Sequence, residues 1–284
     1  MPDCFNSIIA QTYKNIEIVI VDDGSTDNSW EVIESFRFPA SFKLIKHRIL
    51  QNQGCGYAKR KCVELATGEI CGFIDPDDTI ESQAIQLMTD VHLNDGNVSL
   101  VSSKFNYVDE NLQITTRGKI GEVIPDKSSY LCYGQNAITA FATFKLTKYQ
   151  QSLGIDPRLK RAVDQDLYYK LEEIGNVKFI NEYLYNYRIT NQSISANENS
   201  FKADYWHIFI VMDSAYKRRK IGSSACNISK IYLSQKKQSH LIWRIKLSKE
   251  SYWRKFNFVM RAIITCPFRN SFYLLKCLVI PNYA

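Results

Sequence analysis

The chain has 284 residues, 45% of them hydrophobic, and a formal net charge of +7. That length accommodates one domain of about 200 residues and a smaller appendage, and the apolar content excludes an intrinsically disordered chain. The charge is divided unevenly: residues 201–284 hold 16 Lys and Arg against Asp204, Asp213 and Glu250, a net of +13, which leaves −6 on the first 200 residues.

Residues 16–22 read as a buried strand that runs into the acidic turn Asp22-Asp23-Gly24-Ser25-Thr26-Asp27. Gly24 permits a tight turn, and Asp27 or Asn28 caps a helix over 27–36 that buries Trp30, Val32, Ile33 and Phe36. A strand at 42–47, a helix at 54–67 and a strand at 69–75 continue the alternation of a doubly wound α/β sheet. No Gly-x-Gly-x-x-Gly turn follows the first strand, which excludes the usual dinucleotide site. A helix at 81–93 and a strand at 98–104 come next. Residues 105–162 are irregular and polar, broken by Gly118, Gly121, Gly134 and Gly154.

The strand at 69–75 ends in Asp75-Pro76-Asp77-Asp78. Three carboxylates at the carboxyl edge of a buried strand have the hard oxygen donors that suit Mg²⁺ or Mn²⁺, an ion that keeps positions open for substrate phosphates. The same residues also suit a plain acidic turn and helix cap. Two strands of one parallel sheet would bring Asp22-Asp23 and Asp75-Asp77 to one edge. Further on, Val163, Leu167 and Leu171 form the apolar stripe of a helix whose first turn carries Asp164 and Asp166. Those acids read either as chemistry or as carboxylates favoured by the helix dipole.

The run from Ser7 to Asp27, with Gln11-Thr12-Tyr13-Lys14-Asn15 ahead of the strand and Asp22-Asp23-Gly24-Ser25 after it, resembles the opening of the family 2 glycosyltransferases. The resemblance continues through Asn52-Gln53-Gly54, Glu64-Leu65-Ala66-Thr67-Gly68-Glu69-Ile70, Asp75-Pro76-Asp77-Asp78, Asp164-Gln165-Asp166-Leu167-Tyr168, Leu184-Tyr185-Asn186-Tyr187-Arg188 and Ser193, covering about residues 3 to 195. It implies a GT-A-type, Rossmann-like doubly wound mixed sheet over residues 1–200, with a nucleotide-sugar half at 1–104 and an acceptor half at 105–200, and a basic helical amphipathic extension at 201–284. It also implies an inverting, metal-dependent transfer from a nucleotide diphosphate sugar, UDP-linked by preference, to a hydroxyl of a glycan or lipid-linked glycan, as in bacterial surface polysaccharide synthesis.

By the resemblance, Asp22 and Asp23 contact the base, Asp75 the ribose, and Asp77 and Asp78 the metal. Asp164 matches the catalytic base, with Asp166 as the alternative, and Arg188 matches a basic residue near the diphosphate. Lys59 and Arg60 stand where relatives carry Arg-Asn, and Val163 where they carry Glu. A lysine cannot reproduce a bidentate guanidinium contact, which Arg60 would have to supply. The chain also begins where relatives have already passed a first strand and a Pro-x-Tyr-Asn turn. Its loss would leave two strands without a shared neighbour, and a catalytically dead remnant is the alternative function. A nucleotidyltransferase is a further one, disfavoured because it needs no base near an acceptor sugar.

Eight cysteines without a Cys-x-x-Cys pair read as free thiols, and the sequons at Asn97, Asn191 and Asn227 carry little weight since no secretory segment opens the chain. The expected location is cytoplasmic. The tail interleaves bases with aromatics at 243–247, 252–259 and 272–280, a pattern suited to peripheral contact with an anionic membrane at its inner face. Docking on the catalytic domain is the competing reading; nucleic acid is not an expected partner.

Overall fold

The computed structural model describes residues 1–125, 128–133, 137–138, 141–189, 199–220, 230–247 and 251–267. Contacts divide the chain into two units, Met1–Asn191 and Gln192–Ala284. The first contains α1 (Pro2–Ile9), β1 (Glu17–Asp23), α2 (Ser29–Ser35), β2 (Lys43–Ile49), α3 (Cys55–Leu65), β3 (Ile70–Gly72), β4 (Thr79–Ile80), α4 (Ala84–Asn94) and β5 (Val98–Val108). It continues with β6 (Ile114–Arg117), α5 (Tyr130–Tyr133), β7 (Ala142–Lys145), α6 (Leu146–Gln151), α7 (Val163–Glu172) and β8 (Asn176–Arg188).

The alternation expected from apolar periodicity is present, and the sheet is mixed. Strands run in the order β3-β7-β5-β8-β4, with β6 also on β5. β5 and β8 are parallel, while β7 and β4 run antiparallel to their partners. Among the described residues β1 pairs with β2 alone, in parallel, as a separate two-stranded sheet. Among the described residues the acidic turns after β1 and β3 therefore do not share one hydrogen-bonded sheet, and the two strands have no common neighbour. Within the polar stretch after residue 105, β7 forms a strand that lies between β3 and β5.

The core sits where α4 covers the larger sheet, with Ala84, Met88, Val98, Val101 and Leu184 buried together. α1 is tied to this layer by Gln11, which is fully buried; its Nε2 donates to the carbonyls of Ser7 and Glu81, and its Oε1 accepts from the Ile85 amide. Phe5, Phe36 and Phe38 pack with centroids 4.8 to 5.0 Å apart, Phe5 and Phe36 edge to face and the other pairs tilted, and fasten α1 to the exit of α2.

The second unit contains α8 (Asn199–Lys220), α9 (Lys230–Leu247) and α10 (Tyr252–Thr265). Leu241 and Ile245 of α9 pack on Val259 and Ala262 of α10. The expected helical extension is thus present, though the basic stretch at 272–280 and Ser193 lie outside the described residues. Among the described residues, no helix is long and apolar enough to cross a membrane, and Cys4, Cys55, Cys62, Cys71 and Cys266 are free thiols.

Candidate active site

Three segments converge on Lys59. It projects from α3, its side chain 14% exposed, and its Nζ lies 2.7 Å from Asp164 Oδ1 at the start of α7 and 3.7 Å from Asp75 Oδ1 after β3. The Phe73 ring covers the ammonium at 5.2 Å. Burial alone would depress the lysine, but the Asp164 carboxylate, and after it Asp75, hold it well above the ordinary lysine range. On Asp75 the lysine pulls the carboxyl down, yet desolvation and the neighbouring Asp164 and Asp77 charges leave it raised. α7 begins with Ala162 in the left-handed region, φ 55°, so the helix opens sharply and Asp164 falls in its first turn.

The turn Asp75-Pro76-Asp77-Asp78 closes through the Asp78 amide, which donates to the Asp75 carbonyl at 3.0 Å. Asp75 and Asp77 are exposed. Asp78 faces the other way. It is 1% exposed; its Oδ2 accepts from the Tyr185 hydroxyl at 2.5 Å and its Oδ1 from the Arg188 amide at 2.7 Å. Burial pushes its carboxyl up to about 7 against those two hydrogen bonds, aided by the Asp77 and Asp75 charges. The Asp75 amide in turn donates to the Tyr185 hydroxyl at 3.4 Å. Tyr185, on β8 opposite Ile80, therefore pins both ends of the acidic turn.

The base-contact candidates sit at the end of β1. Asp23 accepts the amides of Gln53 at 2.9 Å and Gly54 at 2.7 Å, so its carboxylate closes the loop that starts α3, and Asn52 donates back to its carbonyl at 2.9 Å. Gly24 is required between them: its φ is +68°, and a Cβ there would stand 2.8 Å from the Asn52 amide nitrogen. Asp22 is buried, accepts the Ser25 amide at 3.2 Å and lies 3.3 Å from Arg48 Nε.

Two further candidates point elsewhere. Arg60 donates to Glu64 and to the Ile155 carbonyl rather than toward Asp75, and Arg188 directs its guanidinium to Asp3 at 2.8 Å and the Glu110 carbonyl at 3.2 Å. Asp166 is buried and ion-paired with Lys170 at 2.5 Å, one helical turn on, while Asp164 faces Lys59. The structure thus brings together Lys59, Asp75 and Asp164, holds Asp77 beside them, and keeps Asp78, Asp166, Arg60 and Arg188 in supporting contacts. Tyr185 had no role in the sequence reading. Its signal is a tyrosine inside an apolar alternation, whose hydroxyl needs a buried partner.

The donor set fits a hard divalent ion. Asp75 and Asp77 offer exposed carboxylates on one short turn, and among the described residues no three His, Cys, Asp or Glu side chains converge. Such a pair suits an ion that retains most of its positions for water and phosphate. Asp78, with both oxygens engaged inside the protein, is not part of that set.

The family model for Glycosyl transferase family 2 matches residues 1–151. The chain belongs to that family. Glycosyltransferase GlyG of Streptococcus pneumoniae serotype 4 (strain ATCC BAA-334 / TIGR4) is 30% identical to this family 2 member over 212 residues, 69% of this chain and 68% of the relative. A chondroitin synthase of Escherichia coli is 27% identical over 211 residues, 70% of this chain but 29% of the relative. This chain spans less than a third of the first curated synthases it matches. S. aureus TarS 1–349 superposes with a TM-score of 0.63 at 16% identity, covering 98% of this chain and 82% of that 1–349 chain, which establishes the GT-A fold.

Proposed function

We propose that this family 2 member transfers a sugar, with inversion, from a nucleotide diphosphate sugar to a hydroxyl of a glycan or lipid-linked glycan. The observation that carries this reading is the meeting of Asp75, from the nucleotide half, and Asp164, from the acceptor half, on one half-buried lysine. A transfer of this kind develops negative charge on the leaving diphosphate while the acceptor loses a proton, so it needs cations on one side of the sugar and a carboxylate on the other.

Asp164 takes the acceptor proton as its hydroxyl attacks. Lys59 keeps that carboxylate ionised in the resting site and offers its ammonium to the leaving diphosphate. Asp75 orients the ribose, and Asp23 shapes the base pocket through the loop it holds. Asp75 and Asp77 would hold Mg²⁺ or Mn²⁺, which when bound supplies Lewis-acid neutralisation of diphosphate charge. UDP is the favoured nucleotide because TarS, of the same fold, has been solved with UDP-GlcNAc and with UDP. The acceptor-binding half corresponds to residues 105–200, and the inner face of the cell membrane is the working location.

The reading is tested by incubating the full chain with a panel of sugar nucleotides, Mn²⁺ and oligosaccharide acceptors, following nucleotide diphosphate release and the anomeric configuration of the product. Inverted product that disappears with Asp164→Asn supports it. Donor binding without turnover on any acceptor would instead favour a remnant, and pyrophosphate release from a nucleoside triphosphate and a sugar phosphate would favour a nucleotidyltransferase.

A further inference from the structure

α10 has two unlike faces. One docks within its own unit: Val259 and Ala262 are fully buried against Leu241 and Ile245. Gln238 of α9 fastens the end of this helix by donating to the carbonyls of Ala262 at 3.1 Å and Cys266 at 2.9 Å. The other face carries exposed apolar side chains. Trp253 is 72% exposed, Met260 36% and Ile264 74%, and spacings of seven and four residues place the three within about 40° of one another around the helix. Phe256, half-buried, meets Trp253 edge to face at 6.1 Å and widens the stripe. Arg254 and Arg261, both exposed, line its opposite border.

Charge selects the occupant. α9 and α10 together carry eight Lys and Arg and no Asp or Glu. Single exposed apolar side chains are ordinary on a protein surface. Three aligned on one helix, with a tryptophan at one end and arginines along one border, form a surface whose apolar strip fits acyl chains and whose cations fit lipid phosphates. Nucleic acid satisfies the cations and leaves the strip in water, and docking inside the unit already uses the opposite face.

We infer that α10 is an in-plane anchor that lays Trp253, Met260 and Ile264 into the surface of an anionic bilayer, with Arg254 and Arg261 at the headgroups. The inference uses none of the residues assigned to transfer, so its failure would leave the catalytic reading untouched. It gives a physical reason why an enzyme acting on a lipid-linked acceptor would stay near it.

The experiment is co-sedimentation of the full chain with vesicles of phosphatidylglycerol and phosphatidylcholine in equal parts, against phosphatidylcholine alone. The full chain is expected to pellet with the mixed vesicles at low salt and to be released at high salt. Arg254→Glu with Arg261→Glu should weaken binding by about a hundredfold, and Trp253→Ser with Ile264→Ser by about tenfold. Lys119→Glu, an exposed charge reversal in the other unit, should leave binding unchanged.

A second measurement does not depend on these variants keeping their fold. Vesicles with brominated acyl chains should quench the fluorescence of the wild-type chain, and the conservative Trp253→Phe should remove most of that quenching. Absence of binding to mixed vesicles at low salt would overturn the inference. So would binding that responds to the arginines but not to Trp253 and Ile264, with no quenching, since that is a purely electrostatic surface open to nucleic acid.

Discussion

Replacing Tyr185 by Phe removes one of the two hydrogen bonds that the buried Asp78 carboxylate accepts, leaving the one from the Arg188 amide. Both Tyr185 and Asp78 are 1% exposed, and the bond between them is 2.5 Å long. A hydrogen bond to a charged group contributes about 1.5–3 kcal/mol and one between neutral groups about 1. Asp78 titrates at about 7 in the folded protein, so the hydroxyl serves a charged acceptor above that pH and a protonated one below it. The expected loss is about 1.5–3 kcal/mol near pH 8.5 and about 1 kcal/mol near pH 5.5.

In a unit of this size each kcal/mol moves the melting point by about 2–4 °C, so the variant should melt about 3–12 °C below wild type at the alkaline pH and only about 2–4 °C below at the acidic one. Linkage sets the background slope. Because the folded carboxyl is raised above its unfolded value of about 3.9, its favourable contribution is complete below that value and is lost as pH rises through about 7, amounting to roughly 4 kcal/mol at most. Urea unfolding of wild type and variant at both pH values, followed by fluorescence, measures the difference. An equal loss at the two pH values, or a larger loss at pH 5.5, would refute the claim that Tyr185 stabilises an ionised Asp78.

Lys59→Met leaves Asp75 and Asp164 facing each other without their shared cation. Because those partners are 53% and 39% exposed, water replaces much of the lost contact, so turnover should fall by about a hundredfold with little change in melting point; full activity would contradict the role given to it. Asp166→Asn breaks a buried pair with Lys170 and should destabilise by about 3–5 kcal/mol, whereas Asp164→Asn should keep its melting point and lose transfer by about 10²–10⁴-fold. Reversal of that pattern in melting and turnover measurements would exchange the two carboxylates' roles. Gly56→Ala would set a Cβ 2.5 Å from the Leu159 carbonyl and 2.7 Å from that of Asp156, and should lower the urea midpoint by the equivalent of about 1–3 kcal/mol.

Much of the first unit was legible because its elements obey local rules. The strand expected at 42–47 is Lys43–Ile49 and the helix at 81–93 is Ala84–Asn94, whereas the strand expected at 69–75 stops at Gly72 and Asp75 lies three residues beyond it. Long-range pairing was not legible. β7 (Ala142–Lys145) is four residues long, too short to declare a period, yet it occupies an interior position of the sheet, buried at Ala142, Thr143 and Phe144. The direction of Asp78 was equally hidden. A run of three aspartates gives no sign that the last points inward, since that depends on Tyr185, 107 residues away, lying opposite Ile80. Asp164 and Asp166 differ for a similar reason: two positions on a helix separate their side chains by about 200°, and only packing shows which one meets Lys59.

The isolation of β1 and β2 has a kinetic meaning. Seven paired residues in one parallel ladder are a weak cooperative unit, while β5 and β8 share a long parallel ladder within a six-stranded sheet. Opening the first need not disturb the second, so the strand that ends in Asp22 and Asp23 belongs to the lower rungs of native-state opening. Its amide protons at 17–23 should exchange with deuterated solvent well before those at 98–108. A nucleotide seated over Asp23 would close that gap, slowing exchange along β1 and the 52–54 loop and leaving β5 as it was, so that donor capture doubles as the step that consolidates this side of the fold.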